Sequence, residues 1–192
     1  MARHKEFDTT VVLSKAMYLF WKHGYEGTSI QDLVNHVGIK AQSLYNAFGG
    51  KRELFLAALR YYADHSTTVR ILDSTPSGKE AIATVFREVS AIFSGPDGSK
   101  GCFLINSNVE MAPHDAEIAD FLEKERTRAI DAYYRALTRA KEQGELHERH
   151  QDLMALARYL SNAQGGLAIT AKTSSGRMIL DDIVRVTLSI LD

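Results

Sequence analysis

Residues 28–54 read TSIQDLVNHVGIKAQSLYNAFGGKREL and contain two short helical patterns separated by a glycine. In the first pattern, apolar residues recur on one helical face until Val37. Gly38 then suits the left-handed backbone with which many helices end. Thr28 is a favourable N-cap residue and Gln31 follows three positions later, so the pair predicts a capping box at the start of this helix.

The second helix has Leu44 and Phe48 on its inward face and is ended by Gly49 and Gly50. Two helices joined by a short turn containing glycine form a helix-turn-helix, whose second helix presents its N-terminal side chains to base edges in the major groove. An ordinary helical hairpin in an all-α core is the alternative. An amphipathic helix ending at Gly24 supplies the third helix that such a DNA-binding unit needs, so the sequence favours DNA binding.

The rest of the chain also reads as helices, and this predicts an all-α protein with no sheet. The helix that begins at Lys51 is expected to run to about Leu72 and to link two domains. The 192 residues contain no apolar run long enough to span a membrane and no apolar stretch of a signal peptide near the N-terminus. We therefore expect a cytosolic protein with no membrane partner. Since Cys102 is the single cysteine, an intrachain disulfide is excluded.

The charge is distributed unevenly between the two ends of the chain. The net charge is −1, but residues 1–60 carry eight Lys and Arg against five Asp and Glu, a balance of +3. The remaining residues therefore sum to −4. A basic head on an acidic body suits a protein that meets phosphate at one end only.

Residues 24–55, GYEGTSIQDLVNHVGIKAQSLYNAFGGKRELF, resemble the DNA-binding domain of TetR/AcrR-type transcriptional regulators. The matching positions are Gly24, Tyr25, Thr28, Ser29, Gly38, Leu44, Tyr45, Phe48, Lys51, Leu54 and Phe55. The resemblance implies a helix-turn-helix domain in residues 1–50 and a ligand-binding and dimerisation domain in residues 51–192. It further implies a ligand-responsive repressor that binds a palindromic operator in double-stranded DNA as a homodimer and is released by a small-molecule effector, which the sequence does not identify.

Side chains at the start of the second helix are expected to meet base edges, and these are Lys40, Ala41, Gln42 and Ser43. Gln42 is the first choice for specificity, because an amide can bond both N6 and N7 of adenine. Contacts to phosphates are expected from Thr28, Tyr45, Asn46 and Lys51. The family often has a histidine where this chain has Ala47, so the phosphate contact of that histidine is not expected here.

The last two predicted helices, at about 150–171 and 178–191, carry continuous apolar stripes. The resemblance to TetR-type proteins implies a homodimer built on these two helices. A two-fold dimer also reads two half-sites, whereas a single recognition helix reads too few base pairs. We expect the dimer to form through Leu160, Leu167, Ile183 and Ile190.

Cys102 has two interpretations that the sequence leaves open. GCFLIN, residues 101–106, is similar to the segment that carries a cysteine sensing electrophiles or oxidants in some TetR-type repressors. A position in the first turn of a helix, with Lys100 nearby, favours a reactive thiolate. Alternatively, the apolar neighbours Phe103 and Leu104 indicate a packed and inert thiol.

We expect no catalytic residue, no metal site and no cofactor. The motif His147-Glu148-Arg149-His150 falls one residue short of the HExxH zinc spacing and follows Gly144 in a predicted loop. Cys102 and His114 have no orienting third group that would make them a nucleophile pair. The alternative function is a helical small-molecule-binding or scaffolding protein without sequence-specific DNA binding.

Overall fold

The computed structural model describes residues 8–173 and 176–192, and within these ranges every regular element is a helix. Residues 1–7, which include Arg3 and Lys5 of the predicted basic head, and residues 174–175 lie outside the described ranges. The described α-helices are α1 (Thr9–His23), α2 (Ile30–Val37), α3 (Ala41–Phe48), α4 (Lys51–Asp64), α5 (Thr68–Ser74), α6 (Gly78–Phe93), α7 (Phe103–Glu110), α8 (Ala116–Glu142), α9 (Leu153–Thr173) and α10 (Arg177–Ser189). The all-α prediction is confirmed for these residues.

The chain folds into two compact units. The head unit comprises the described residues up to His65 together with Asn106–Ala119, and the body unit comprises Ser66–Ile105 and Asp120–Asp192. The resemblance predicts a domain boundary at residue 50, whereas the head unit also contains α4, the end of α7 and the start of α8. Helices α7 and α8 therefore each contribute residues to both units.

The head unit is held together by aromatic packing between α1 and α4. The rings of Phe20 and Phe55, both fully buried, meet edge to face with centroids 5.0 Å apart. Trp21 and Tyr62 make a second edge-to-face contact at 5.3 Å. Leu33 of α2 and Leu44 of α3 are also completely buried, so the helix-turn-helix shares one apolar core with its supporting helices.

The body unit has an apolar core formed mainly by α6, α8, α9 and α10. A partly buried polar relay begins at Tyr133 of this core. The Tyr133 hydroxyl donates to Oε1 of Gln164 at 2.9 Å, and Nε2 of Gln164 donates to Oγ1 of Thr68 at 3.0 Å. Complete burial raises the pKa of Tyr133 far above its usual range, so this side chain remains neutral and acts as a hydrogen-bond donor.

The helix predicted to run from Lys51 to about Leu72 is instead two helices, α4 and α5, with residues 65–67 between them. At His65 the backbone N–H donates to the carbonyls of Tyr61 and Tyr62, and the imidazole Nδ1 lies 2.7 Å from the Tyr61 carbonyl oxygen. The next three residues are Ser and Thr, whose side chains compete with helical backbone bonds. The prediction of one continuous stem was therefore wrong.

The last two helices agree with their predicted ranges to within a few residues, since α9 spans Leu153–Thr173 and α10 spans Arg177–Ser189. His147 and His150 lie in the loop between α8 and α9. In the described part of the chain, no three His, Cys, Asp or Glu side chains converge closely enough to hold a metal ion. Nor is any helix there both long enough and apolar enough to cross a bilayer.

Candidate nucleic-acid interface

The turn between α2 and α3 has the geometry of a helix-turn-helix. Helix α2 ends at Val37, and Gly38 adopts a left-handed backbone with φ of +82°. The Gly38 N–H donates to the Val34 carbonyl at 2.9 Å, which closes the last turn of α2. Ile39 and Lys40 complete a three-residue turn before α3 begins. The prediction of two helices hinged at Gly38 is confirmed.

The capping box of α2 uses Ser29 and Asp32, not Thr28 and Gln31. Oγ of Ser29 accepts a hydrogen bond from the Asp32 N–H at 3.1 Å, and Oδ2 of Asp32 accepts one from the Ser29 N–H at 2.9 Å. The Ser29 hydroxyl, followed by the Ser29 backbone N–H, lowers the pKa of Asp32 below its usual range. The predicted box was displaced by one residue.

Thr28 has a structural role inside the head unit. Its side chain is only 1% exposed, and its hydroxyl donates to the Gly24 carbonyl at 2.7 Å. The expected contact between the Thr28 hydroxyl and a phosphate is therefore not supported by this geometry. Ser29 is exposed at the N-terminus of α2, where its hydroxyl donates to Oδ2 of Asp32 at 2.5 Å.

Helix α3 presents a polar face to solvent. Its side chains Gln42, Tyr45 and Asn46 are exposed, while Leu44 on the opposite face is fully buried. Nε2 of Gln42 donates to Oδ1 of Asn46 at 3.0 Å, which holds the two amides side by side along the helix. An amide held in this way has a restricted rotamer before it meets a base.

The N-terminal turn of α3 brings together the four side chains predicted to meet base edges. Lys40 and Gln42 are exposed, whereas Ala41 and Ser43 are half-buried. Lys40 is the N-cap residue and makes no side-chain cap hydrogen bond. Contacts of these side chains with DNA remain predictions.

Lys51 begins α4 and lies over an aromatic ring. Its Nζ is 4.2 Å from the centroid of the Tyr25 ring, a cation–π distance. The Tyr25 ring meets Phe55 edge to face at 5.0 Å. Gly50 precedes α4 without a side-chain cap, which leaves the first backbone N–H groups of α4 available to an anion near the Lys51 charge.

Arg52, next to Lys51, is committed to carboxylates. Its Nε donates to Asp115 at 2.6 Å, and its Nη2 donates to Asp115 and to Glu117, both at 2.9 Å. These bonds, with Asp115 the larger contributor, raise the pKa of Arg52 and hold the pKa of Asp115 below its usual range. Arg52 therefore counts as a basic residue in the sequence but has its charge compensated within the head unit.

Glu110, the last residue of α7, contacts the turn before α2, and it is not among the residues that the sequence predicts for the interface. Its Oε2 accepts a hydrogen bond from the Tyr25 N–H at 3.0 Å, and its Oε1 accepts one from the Glu26 N–H at 2.9 Å. The partners lie 84 and 85 residues apart in the chain, so no local pattern could indicate this contact.

Cys102 immediately precedes α7 in the body unit and is half-buried. The adjacent Phe103 is fully buried, while Leu104 is half-buried. The ammonium of Lys100, expected near the thiol, forms an ion pair with Asp97 at 2.8 Å. The partial exposure of Cys102 is compatible with both interpretations from the sequence, and its role as a sensor remains a prediction.

The residues expected to form the dimer surface lie largely within the core of the body unit. Leu160 and Leu167 are completely buried in the single chain, so this part of the prediction needs correction. Ile183 and Ile190 are partly buried and pack against the same core. The apolar residues of α9 and α10 that do face solvent are Tyr159, Ile169, Met178, Ile179 and Val186.

Comparison with known proteins places this architecture in a family. Residues 12–58 match the family described as bacterial regulatory proteins of the tetR family. The chain is 44% identical over 194 aligned positions to YezE, an uncharacterized HTH-type transcriptional regulator of Bacillus subtilis strain 168, with complete coverage of both. The chain belongs to the TetR family of transcriptional regulators. It is also 33% identical to the HTH-type transcriptional repressor ComR of Escherichia coli K12, over 97% of this chain and 90% of ComR.

A solved structure shows a related protein on DNA. This is a cysteine mutant of the TetR-family transcriptional regulator CifR complexed with a 26-bp double-strand operator. It matches the present TetR-family chain with a TM-score of 0.88 and 30% identity, over 100% of both chains. The predictions of TetR-type fold and regulatory function are confirmed at this level. The alternative of a helical small-molecule-binding or scaffolding protein without sequence-specific DNA binding is not favoured by these relatives.

Proposed function

We propose that this TetR-family regulator is a cytosolic repressor that binds a palindromic operator as a homodimer and leaves it when a small-molecule effector acts on the body unit. The observation that carries the proposal is the exposed face of α3, where Lys40 and Gln42 stand at the N-terminal turn and Tyr45 and Asn46 follow one turn later. A helix with a buried apolar face and such a polar outer face fits the major groove.

In this proposal, one set of residues contacts the bases and another contacts the phosphates. Gln42 reads adenine through its amide, and Lys40 addresses guanine. The methyl group of Ala41 touches thymine, and Ser43 can bond to more than one base. Tyr45, Asn46 and Lys51 contact phosphates and fix the register of the helix without reading sequence. Because Thr28 is buried, we assign the phosphate contact at the start of α2 to the exposed Ser29, whose hydroxyl would exchange its bond to Asp32 for one to the phosphate.

The proposed dimer uses the solvent-exposed apolar side chains of α9 and α10. Met178 is 75% exposed and Val186 is 58% exposed in the single chain, and Ile169 on α9 is 56% exposed. Such exposed apolar residues on two neighbouring helices favour burial against a second copy. A two-fold dimer would place its two α3 helices on half-sites about 34–36 Å apart, one helical turn of DNA.

The effector acts, in this proposal, by changing the equilibrium between DNA-competent and DNA-incompetent arrangements of the dimer. If the effector binds reversibly, operator DNA and effector weaken each other's binding equally, as linkage requires. Two routes remain open for the effector. One is covalent modification of the half-buried Cys102, and the other is reversible binding of an apolar ligand among the body helices.

In vitro selection from a randomised duplex library, followed by footprinting, tests the proposal. We expect an enriched inverted repeat whose half-sites are about 10 base pairs apart from centre to centre, with protection of both. A Gln31→Ala variant, which changes an exposed amide on α2, is the control and should select the same repeat. Failure to enrich any sequence, or protection of a lone half-site, would contradict a palindromic operator.

A further inference from the structure

Two carboxylates on one short segment hold the two chain positions that flank the helix-turn-helix. Glu110 is the last residue of α7. It accepts hydrogen bonds from the backbone N–H groups of Tyr25 and Glu26, which lie just before α2 in the chain. Asp115 precedes α8 and accepts two hydrogen bonds from Arg52, just after the start of α4. Since α2 and α3 lie between these positions in the chain, residues 110–115 anchor both ends of the DNA-reading element.

We propose that Glu110 is a positioning residue for operator binding, which orients Lys51 toward phosphate by fixing the Tyr25 backbone. The proposal rests on the phosphate contact of Lys51 in the proposed function. Glu110 itself touches no DNA in this arrangement. It acts through Tyr25, whose ring face lies 4.2 Å from the Lys51 ammonium.

The bonds of Glu110 are specific because its carboxylate meets two consecutive backbone N–H groups, one with each oxygen, at 3.0 and 2.9 Å. Such charge-assisted bonds are stronger than neutral ones. The approach also depends on a glycine. A Cβ atom at Gly24 would lie 2.8 Å from Oε1 of Glu110, and the φ of +78° at Gly24 is one that other residues rarely adopt.

The contacts around Tyr25 pass this constraint to Lys51. The Tyr25 ring packs against Phe20 at 6.3 Å and against Phe55 at 5.0 Å, so fixing its backbone leaves the ring little freedom. Asp115 restrains the next residue, Arg52, from the other side. Lys51 is therefore placed between two restrained neighbours, and less side-chain entropy is lost when it meets a phosphate.

Removing the Glu110 charge should raise DNA affinity if only electrostatic repulsion matters, and should lower it if Glu110 positions Lys51. The two explanations can therefore be distinguished. A negative charge in the DNA-binding unit repels phosphate, so its removal alone should tighten binding. If Glu110 positions Lys51, Glu110→Gln should weaken binding, because the amide keeps one acceptor oxygen and replaces the other with a donor. Glu26→Gln is the matched control, since it removes an exposed charge from the turn that Glu110 contacts while its backbone bond to Glu110 remains.

The experiment measures dissociation constants by fluorescence anisotropy over a salt series. The probes are the duplex selected in vitro by the wild-type protein and a scrambled duplex of equal length. We expect Glu110→Ala to weaken binding to both about tenfold and Glu110→Gln to weaken it less. The slope of log K against log salt should fall by about 1 in Glu110→Ala, as in Lys51→Ala. Glu26→Gln should bind as tightly as wild type or more tightly.

A double-mutant cycle then asks whether Glu110 acts through Lys51. In the Glu110→Ala background, Lys51→Ala should have little further effect on affinity or salt slope, whereas Lys40→Ala should have its full effect. Unfolding curves for each variant establish that the protein is folded, and a loss of stability alone would leave the salt slope unchanged.

Three results would overturn the proposal. The first is Glu110→Gln binding at least as tightly as wild type. The second is that the effects of Glu110→Ala and Lys51→Ala on affinity are fully additive. If Lys51→Ala by itself lowers the salt slope, this result refutes the positioning role of Glu110 but not the phosphate contact of Lys51. The third is an unchanged salt slope in Lys51→Ala itself, which refutes the assigned phosphate contact of Lys51 and the positioning role with it.

Discussion

The amides of Gln42 and Asn46 are joined along the exposed face of α3, with Nε2 of Gln42 donating to Oδ1 of Asn46 at 3.0 Å. The same relationship recurs on α2, where Nε2 of Gln31 donates to Oδ1 of Asn35 at 2.9 Å. The two pairs have the same spacing and chemistry, but only the α3 pair lies on the helix proposed to enter the groove. Substitution of Gln31 on α2 is therefore a matched control for substitution of Gln42 on α3.

Gln42→Ala is expected to cost about 1–3 kcal/mol of operator binding free energy and to relax the preference at one base pair per half-site. The reason is the loss of an amide at the N-terminal turn of α3 that can bond adenine with both a donor and an acceptor and that Asn46 holds in place. Binding selections with wild-type and variant protein measure the base preference. Gln31→Ala should leave that preference intact. An unaltered profile in Gln42→Ala would remove this residue from the base-reading set.

Thr28→Val should act on stability and not on phosphate binding. Loss of the hydroxyl that donates to the Gly24 carbonyl should lower the free energy of unfolding by about 1 kcal/mol. Because the side chain is buried, the salt slope of DNA binding should not change. Lys51→Ala, as the comparison, should lower that slope by about 1. If Thr28→Val lowers the slope as well, its hydroxyl does reach a phosphate.

The displacement of the capping box shows where local sequence becomes ambiguous. Thr28 with Gln31 and Ser29 with Asp32 both satisfy the pattern of a cap residue followed three positions later by an acceptor. The choice depends on burial of Thr28 and its bond to Gly24, which are tertiary facts. The Gly38 hinge was predictable because glycine, which has no Cβ atom, adopts the left-handed backbone without steric cost.

The difference between local patterns and tertiary contacts also explains why the dimer surface and the role of Glu110 could not be predicted from the sequence. Periodicity identifies Leu160 and Leu167 as an apolar stripe, but the stripe reads identically whether it packs on its own chain or on a partner. The contacts of Glu110 with Tyr25 and Glu26 depend on how distant segments meet, which a single sequence does not encode in any local pattern.

Replacing Ile169 and Val186 together with Glu should convert the protein to a folded monomer with weakened operator binding. Both side chains face solvent in the single chain, so the charges should disrupt an intermolecular surface while sparing the core. Sedimentation velocity at about micromolar concentration measures the change. Ile92→Glu, at an equally exposed apolar position on α6, should remain dimeric. Wild-type protein sedimenting as a monomer would end this proposal.

Asp115→Asn should reduce the loss of unfolding free energy that occurs when the pH is lowered into the acid range. The hydrogen bonds from Arg52 are the main cause of the lowered Asp115 pKa. A group whose pKa is lower in the folded state contributes stability that is present above its ordinary value of 3.8 and is lost as the pH falls through the lowered value.

Urea unfolding at about pH 7 and about pH 3 measures this dependence. Wild-type protein should lose more stability across the interval than Asp115→Asn. The control is Asp120→Asn, which replaces an exposed carboxylate on α8 and should retain the wild-type dependence. Equal losses in wild type and Asp115→Asn would show that the bond to Arg52 does not couple folding to this carboxylate.

Cys102 provides a test of how the effector acts. If the sensing interpretation is correct, a quinone should form one thioether per chain at this single thiol and should release wild-type protein from the selected duplex. The added bulk would sit directly before α7, the helix whose last residue is Glu110. Cys102→Ser should stay bound under the same treatment, because a hydroxyl does not add to the quinone under these conditions.

Mass spectrometry and anisotropy together separate the outcomes. Labelling of the native thiol with release of wild-type protein alone supports a covalent sensor. Labelling without release shows a reactive but silent cysteine, and equal release of wild type and Cys102→Ser shows an effect elsewhere on the protein or on the DNA. Resistance of the folded protein to iodoacetamide at neutral pH would identify Cys102 as a packed residue. The effector would then have to be a reversible ligand of the body helices, since the chain has no second thiol to modify.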